Sequence, residues 1–192
     1  MSDLLIRNLS KHVRLTTDEE DIIRSLFTPR KFRKHQYVLQ EGDVCRHETF
    51  IVSGLTRTYQ VNDKGQEMVM QFGPSDWWVG DLYSFLTDKP SRLNIDCLED
   101  TETLQITKAS QEILFQKVPK MERHFRIMMQ NAYISSINRI SSAMSKSAAE
   151  RYQEFLERYP FIEQRVPNHQ IASFLGITPQ SLSRIRGRKM SK

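Results

Sequence analysis

The spacing of apolar residues changes period as the chain is read. In 17–27, TDEEDIIRSLF, Ile22, Ile23, Leu26 and Phe27 share one helical face. Thr17 opens that segment with Glu20 three residues on. This is the spacing of a capping box, in which the hydroxyl accepts from the N3 amide and the carboxylate reaches back. Pro29 stops the helix, and the basic stretch RKFRKH, 30–35, reads as a solvated connection. From Tyr37 short β-rich runs alternate with turn signals: YVLQ then EGD, TFIVSGLTRTYQV then NDKG, QEMVMQFG then PSD, with LNIDCL and TLQI around LEDTE. Such runs predict a small antiparallel sandwich or barrel reaching about residue 107, with Asn62–Gly65 as a hairpin turn.

From about Ser110 the pattern is helical again. Met121, Phe125, Met128 and Ala132 repeat at alternating four and three spacing, and Met129, Tyr133, Ile137, Ile140 and Met144 continue on a neighbouring stripe. No Pro or Gly interrupts 120–159, so one helix over 119–144 would run roughly seven turns. A seam that long suits a two-fold dimer, with Met121, Phe125, Met128, Ala132, Tyr133, Ile137 and Ile140 as its residues. The same face could instead cover the β block, and the two uses are compatible. A shorter helix, 147–159, ends before Pro160.

The last apolar pattern is the most informative. In IASFLGITPQSLSRIR, 171–186, Ile171, Ala172 and Leu175 share one face, and Leu182 and Ile185 share another. Gly176 suits a left-handed helix end, Thr178 offers a capping hydroxyl, and Pro179 fits the first helical position. The segment reads as helix, tight turn, helix: either a DNA-reading helix-turn-helix or an ordinary αα-corner. Charge separates the two. After Glu163 there is no Asp or Glu, while Arg165, Arg184, Arg186, Arg188, Lys189 and Lys192 follow. The outward face of the second helix would carry Gln180, Ser181, Ser183, Arg184 and Arg188, donors suited to base edges and phosphates.

Composition agrees with a soluble globular protein of 192 residues, 39% hydrophobic and 27% charged, with a net charge of +5 that favours a polyanionic partner. The start has no apolar stretch like a signal peptide and no run approaches a membrane span, so no membrane partner and a cytoplasmic location are expected. Cys45 and Cys97 form no CxxC pair, and His12, His35, His47, His124 and His169 are scattered, so no metal site is expected. No nucleophile motif or phosphate-binding glycine loop is present, which argues against an enzyme.

The order of elements and four stretches resemble the Crp/Fnr (cyclic-AMP receptor protein and fumarate–nitrate regulator) family of transcription regulators. The stretches are EGD at 41–43 with FIVSGLTRTY at 50–59, GDL at 80–82, SAAERYQEFL at 147–156, and IASFLGITPQSLSRI at 171–185. The resemblance implies an α+β fold. An N-terminal cyclic-nucleotide-binding-like antiparallel β-roll, or jelly roll, would occupy 1–118 with the N-terminal helices. A long dimerisation helix would span 119–144 and a helix-turn-helix domain 145–192. It implies a homodimer on a pseudo-palindromic site in double-stranded DNA, and it places RNA polymerase among candidate partners. Pro179, Gln180 and Arg184 fall on the family's base-contacting positions, and Thr178, Ser181, Ser183 and Arg188 complete the candidate DNA-binding set. Pro179 has no side-chain donor, so one contact of the family is absent. The β wing of many members is not expected, with the basic RGRKMSK as a partial substitute.

For an effector, the resemblance points to Gly80, Asp81 and Leu82, to Ser91 and Arg92, and to Ser136 on the long helix. The cyclic-AMP-binding members carry Glu where Asp81 stands, Arg where Ser91 stands and a small residue where Leu93 stands. Arg92 is one residue away, and on a strand one step reverses the face. Cyclic AMP is therefore disfavoured, and a different ligand or none is expected. Trp77 and Trp78 could narrow such a pocket or be core aromatics. An iron–sulfur sensor lacks its cysteines. The competing reading is a nucleotide-sensing or protein-binding adaptor that does not read DNA; it calls for an intact pocket and a neutral C-terminus.

Overall fold

A computed structural model describes residues 3–190, with side chains described through 187. Its contacts divide the chain into two units, 1–60 with 72–130 and 61–71 with 131–192. The division falls inside the long helix and assigns a β-hairpin tip to the C-terminal unit.

The first unit opens with α1 (Asp3–Leu9) and α2 (Thr17–Leu26). The capping box of α2 is one residue earlier than Thr17 and Glu20 suggest: Thr16 accepts from the Glu19 amide, and the Glu19 carboxylate accepts from the Thr16 amide at 2.7 Å. Two adjacent threonines and two adjacent glutamates offer both registers, and Thr16 is the one with extended backbone, as an N-cap requires.

The strands are β1 (Thr28–Phe32), β2 (Tyr37–Leu39), β3 (His47–Ser53), β4 (Leu55–Val61), β5 (Glu67–Pro74), β6 (Trp77–Val79), β7 (Asn94–Cys97) and β8 (Thr101–Thr107). Helix α3 (Leu82–Thr87) separates β6 from β7. One sheet has the order β1-β8-β3-β6 and the other β2-β7-β4-β5. The basic 30–35 stretch, expected as a connection, begins as β1, which pairs antiparallel with β8 from Thr28↔Gln105 to Phe32↔Thr101. Pro29 and the charges are tolerated because β1 is an edge strand. The run TFIVSGLTRTYQV is broken at Gly54, whose φ of 98° lets β3 end and β4 enter the other sheet.

Between the sheets Leu39, Cys45, Ile51, Val79, Phe85 and Ile95 form one core. The larger core joins α1, α2, β3 and β8 to α4 (Lys108–Lys117) and the start of α5 (Lys120–Ser145). Trp78 lies in it with Phe27, Phe50 and Phe125 around its ring, and its indole N–H donates to Asn8 Oδ1 at 3.0 Å. Of the two readings for the tryptophans, Trp78 is therefore a core aromatic. On β4 and β7 the buried Arg57 and Asp96 form a bidentate pair at 2.8 and 2.9 Å, with the guanidinium over the Tyr59 ring.

The second unit contains the β4–β5 tip, the rest of α5, α6 (Ala148–Arg158), a 3-10 turn (Ile162–Gln164), α7 (Asn168–Leu175) and α8 (Pro179–Met190). Ser147 and Glu150 form the capping box that starts α6. Phe155, Tyr159 and Phe174 pack ring to ring, and Ile162, Val166, Ile171 and Leu175 of the same unit are buried. The hairpin turn forms at 62–65 as its sequence predicts, with the Gly65 amide on the Asn62 carbonyl at 2.8 Å. Among the described residues no helix is long and apolar enough to cross a membrane.

Met121 and Phe125, placed on the dimer seam from spacing, are buried in the first unit's own core. Met128 is half-buried against the same core. The first turns of α5 cover the β unit and that stripe is consumed there. The later residues Ala132, Tyr133, Ile137 and Ile140 are exposed.

Candidate functional site

Helix α7 ends because Gly176 takes φ 65°, its amide reaching back to the Ala172 and Ser173 carbonyls. The Ile177 amide also bonds the Ala172 carbonyl at 3.0 Å, so the chain reverses within two residues. Thr178 Oγ1 then accepts from the Ser181 amide at 3.2 Å and starts α8 at Pro179. Leu182 is fully buried, together with Ile171 and Ala172. That fixes the rotation of α8 and turns Gln180, Ser183 and Arg184 outward, all exposed.

Gln180 and Arg184 are one helical turn apart on this outer face, and Arg184 makes no ion pair among the described residues. The hydroxyls nearby have local partners: Thr178 donates to Ser181 Oγ at 3.0 Å, and Ser183 donates to the Pro179 carbonyl at 3.0 Å. Arg188 lies in α8, but its side chain is outside the described residues. The arrangement presents a bidentate amide and a bidentate guanidinium on a rigid helix, groups that match adenine and guanine edges in a major groove.

Not every arginine here faces out. Arg186 turns inward, where its Nε pairs with Glu163 Oε1 at 2.8 Å and lies 3.1 Å from the Tyr152 hydroxyl. A further guanidinium nitrogen donates to Asn168. This cluster fastens α8 to α6, the 3-10 turn and the start of α7. Sequence reasoning missed it, although Glu163, the last acidic residue before the basic tail, was a signal that one following arginine has a counterion.

The effector candidates assemble only in part. Asp81 caps α3, its Oδ1 accepting from the Ser84 amide at 3.3 Å, and its Oδ2 accepts from the Ser91 hydroxyl at 2.7 Å. Both residues are buried. The Ser91 backbone bonds Gly42 and Asp43, and the Ser84 hydroxyl joins the Cys45 amide to the Lys89 carbonyl. Arg92 and Leu82 do not join this cluster; both are exposed. Arg92 lies in a bend ahead of β7, beside the buried Ser91, so no strand register carries it into the cluster. Ser136 is exposed on α5 and donates to the Ala132 carbonyl of its own helix at 3.0 Å.

The phosphate of a cyclic nucleotide needs a cation and free N–H donors. Here a buried carboxylate lies against Ser91, and Asp81 has no ion pair among the described residues. The residues present do not fit that ligand.

Cys45 and Cys97 are free and buried; burial raises both thiols, Cys97 to about 11, which disfavours the thiolate form. Among the described residues no three His, Cys, Asp or Glu side chains group as metal ligands would.

A family model described as a cyclic nucleotide-binding domain matches residues 29–117. An anaerobic regulatory protein of Bacillus subtilis is 29% identical over 94 residues, which are 49% of this chain and 40% of that protein. The chain thus spans well under two thirds of that relative. The fumarate and nitrate reduction regulatory protein of Vibrio cholerae is 25% identical over 97% of this chain and 78% of its own length. Among solved structures, FixK2 of Bradyrhizobium japonicum superposes with a TM-score of 0.74 at 18% identity, covering 86% of this chain and 85% of that one.

Proposed function

We propose that the chain, which is similar to regulators of the Crp/Fnr type, is a homodimeric, sequence-specific DNA-binding transcription regulator whose sensory unit does not answer to cyclic AMP. The observation that carries this reading is the outward pair Gln180 and Arg184 on a helix whose rotation is fixed by Leu182. In a two-fold dimer each α8 enters a major groove, with half-sites about 10 base pairs apart. Gln180 pairs with adenine and Arg184 with guanine, while Thr178, Ser181, Ser183 and Arg188 position the helix on phosphates. Functionally 119–144 is the dimer helix, its contact made by Tyr133, Ile137 and Ile140, with Met144 extending the same stripe. An effector, where one acts, must bind two arrangements of the reading helices with different affinity.

The test is selection of the purified protein on random duplex DNA, with and without cyclic AMP. An enriched two-fold site that is independent of the nucleotide supports the proposal. A site appearing only with cyclic AMP overturns the reading of Asp81 and Ser91. No enrichment in either arm favours an adaptor that does not read DNA. On the enriched site Arg184→Ala should cost about 1–3 kcal/mol and relax one base position. Arg188→Ala should instead weaken binding to every sequence and reduce the salt slope by about one.

A further inference from the structure

The DNA-reading unit is not purely helical: the tip of the β4–β5 hairpin, 61–71, belongs to it. Among the described residues strand β5 is the edge of its sheet, so one rim of its backbone faces no further strand. Two side chains of the helices take hold of that backbone. Ser173, on α7, donates its hydroxyl to the Glu67 carbonyl at 2.6 Å and accepts the Val69 amide at 3.0 Å. One hydroxyl thereby satisfies the donor and acceptor that a neighbouring strand would otherwise satisfy. Arg139, on α5, donates to the Met70 carbonyl at 2.9 Å, and its guanidinium lies over the Phe174 ring next to Ser173. Val69 is buried.

We propose that Ser173 and Arg139 form a clamp that grips the main chain of β5 and positions the helix-turn-helix, so that a movement of β4 and β5 is delivered directly to α7. The clamp's hydrogen bonds go to the main chain of the hairpin and to none of its side chains. It leaves the outer face of α8 exposed, which means that it orients the reader without blocking it. Two readers held in advance lose less freedom when both half-sites must be engaged at once. Both are positioning residues; neither touches a base.

This inference rests on the DNA-reading function proposed above, and its test separates the two. Ser173→Ala, Ser173→Thr and Arg139→Gln would be compared with the parent protein by amide hydrogen exchange at Val69. Binding would be measured to the selected two-fold duplex and to a duplex holding one half-site. Ser173→Ala should speed Val69 exchange and weaken two-fold binding roughly tenfold, the size of one or two lost hydrogen bonds. Half-site binding should stay unchanged, and Ser173→Thr should restore both signals. Arg139→Gln should weaken two-fold binding in the same way.

Unchanged Val69 exchange in Ser173→Ala overturns the clamp. Faster exchange with an unchanged ratio of two-fold to half-site affinity reduces the contact to a structural one and overturns the positioning role. Equal loss on both duplexes does the same. If the parent protein enriches no duplex at all, the DNA-reading function and the positioning role fall together, while Val69 exchange still decides whether the contact exists.

Discussion

Two buried ionisable side chains, Glu48 on β3 and His124 on α5, oppose each other in how they respond to pH. Burial pushes the Glu48 carboxyl from its ordinary 4.5 up to about 7, against the hydrogen bond it accepts from Gln111 at 3.1 Å. It is protonated in the folded chain under conditions where the unfolded chain has released its proton. The stability this contributes is present below about 4.5 and is lost as pH rises through about 7. His124 behaves in the opposite sense. Burial pushes it from 6.5 down to about 4, helped by the neighbouring His12, whose ring lies 5.3 Å away, and by Lys11. Neither of its ring nitrogens makes a well-formed hydrogen bond among the described residues. Its contribution is present above about 6.5 and is lost as pH falls through about 4. Between about 4.5 and 6.5 the two slopes offset each other. In urea titrations across that range the parent protein should therefore show a flatter profile than either single variant. Glu48→Gln should gain stability with rising pH, and His124→Leu should lose it, each by about 1–3 kcal/mol over the range. Parallel profiles for all three proteins would show that neither group titrates as its surroundings dictate.

At the scale of elements, two glycines end segments for different physical reasons. Gly176 has φ 65° with nothing within 4 Å of where a Cβ would be, so Gly176→Ala meets only backbone strain, about 1 kcal/mol. Gly54 has φ 98°, and a Cβ there would lie 2.5 Å from Thr101 Oγ1 and 2.6 Å from the Asp100 carbonyl. Gly54→Ala adds overpacking to strain and should cost about 2–4 kcal/mol. Thermal unfolding of the two variants should rank them in that order; equal costs would mean that the β3–β4 corner can relax. Gly176 was legible in the sequence because helix ends have local signatures. Gly54 was not, because the run around it is β-rich on both sides and the change of sheet is a long-range fact. Local ambiguity explains the other differences. The Thr-Thr and Glu-Glu doublets hid which cap forms, and the charges of β1 hid an edge strand. The short WWV of β6 and the N-terminal α1 left no periodic trace. The outward placement of Gln180 and Arg184 followed from spacing once the turn was recognised. The grip of Ser173 on β5 could not follow, since its partners lie 104 and 106 residues away along the chain.

For the whole molecule, the exposed seam of α5 is the surface on which the proposed dimer rests. Tyr133, Ile137, Ile140 and Met144 recur at four, three and four residues, and Met144 is 84% exposed in the single chain. Replacing Ile137 and Ile140 together by Glu should convert the proposed dimer to monomer in sedimentation velocity. It should also abolish two-fold DNA binding while leaving Val69 exchange protected, because neither side chain belongs to the clamp. A double variant that remains dimeric would move the interface elsewhere. The packing of the half-buried Trp78 among Phe27, Phe50 and Phe125 has an optical consequence. The chain has two tryptophans, Trp77 and Trp78, and both lie in the β unit. Indole emission therefore reports on that unit alone, whereas the helical ellipticity includes α6, α7 and α8 of the other unit. Overlaid melting curves from the two signals would indicate one cooperative transition. Curves that separate would give the C-terminal unit its own melting temperature in an unlabelled protein.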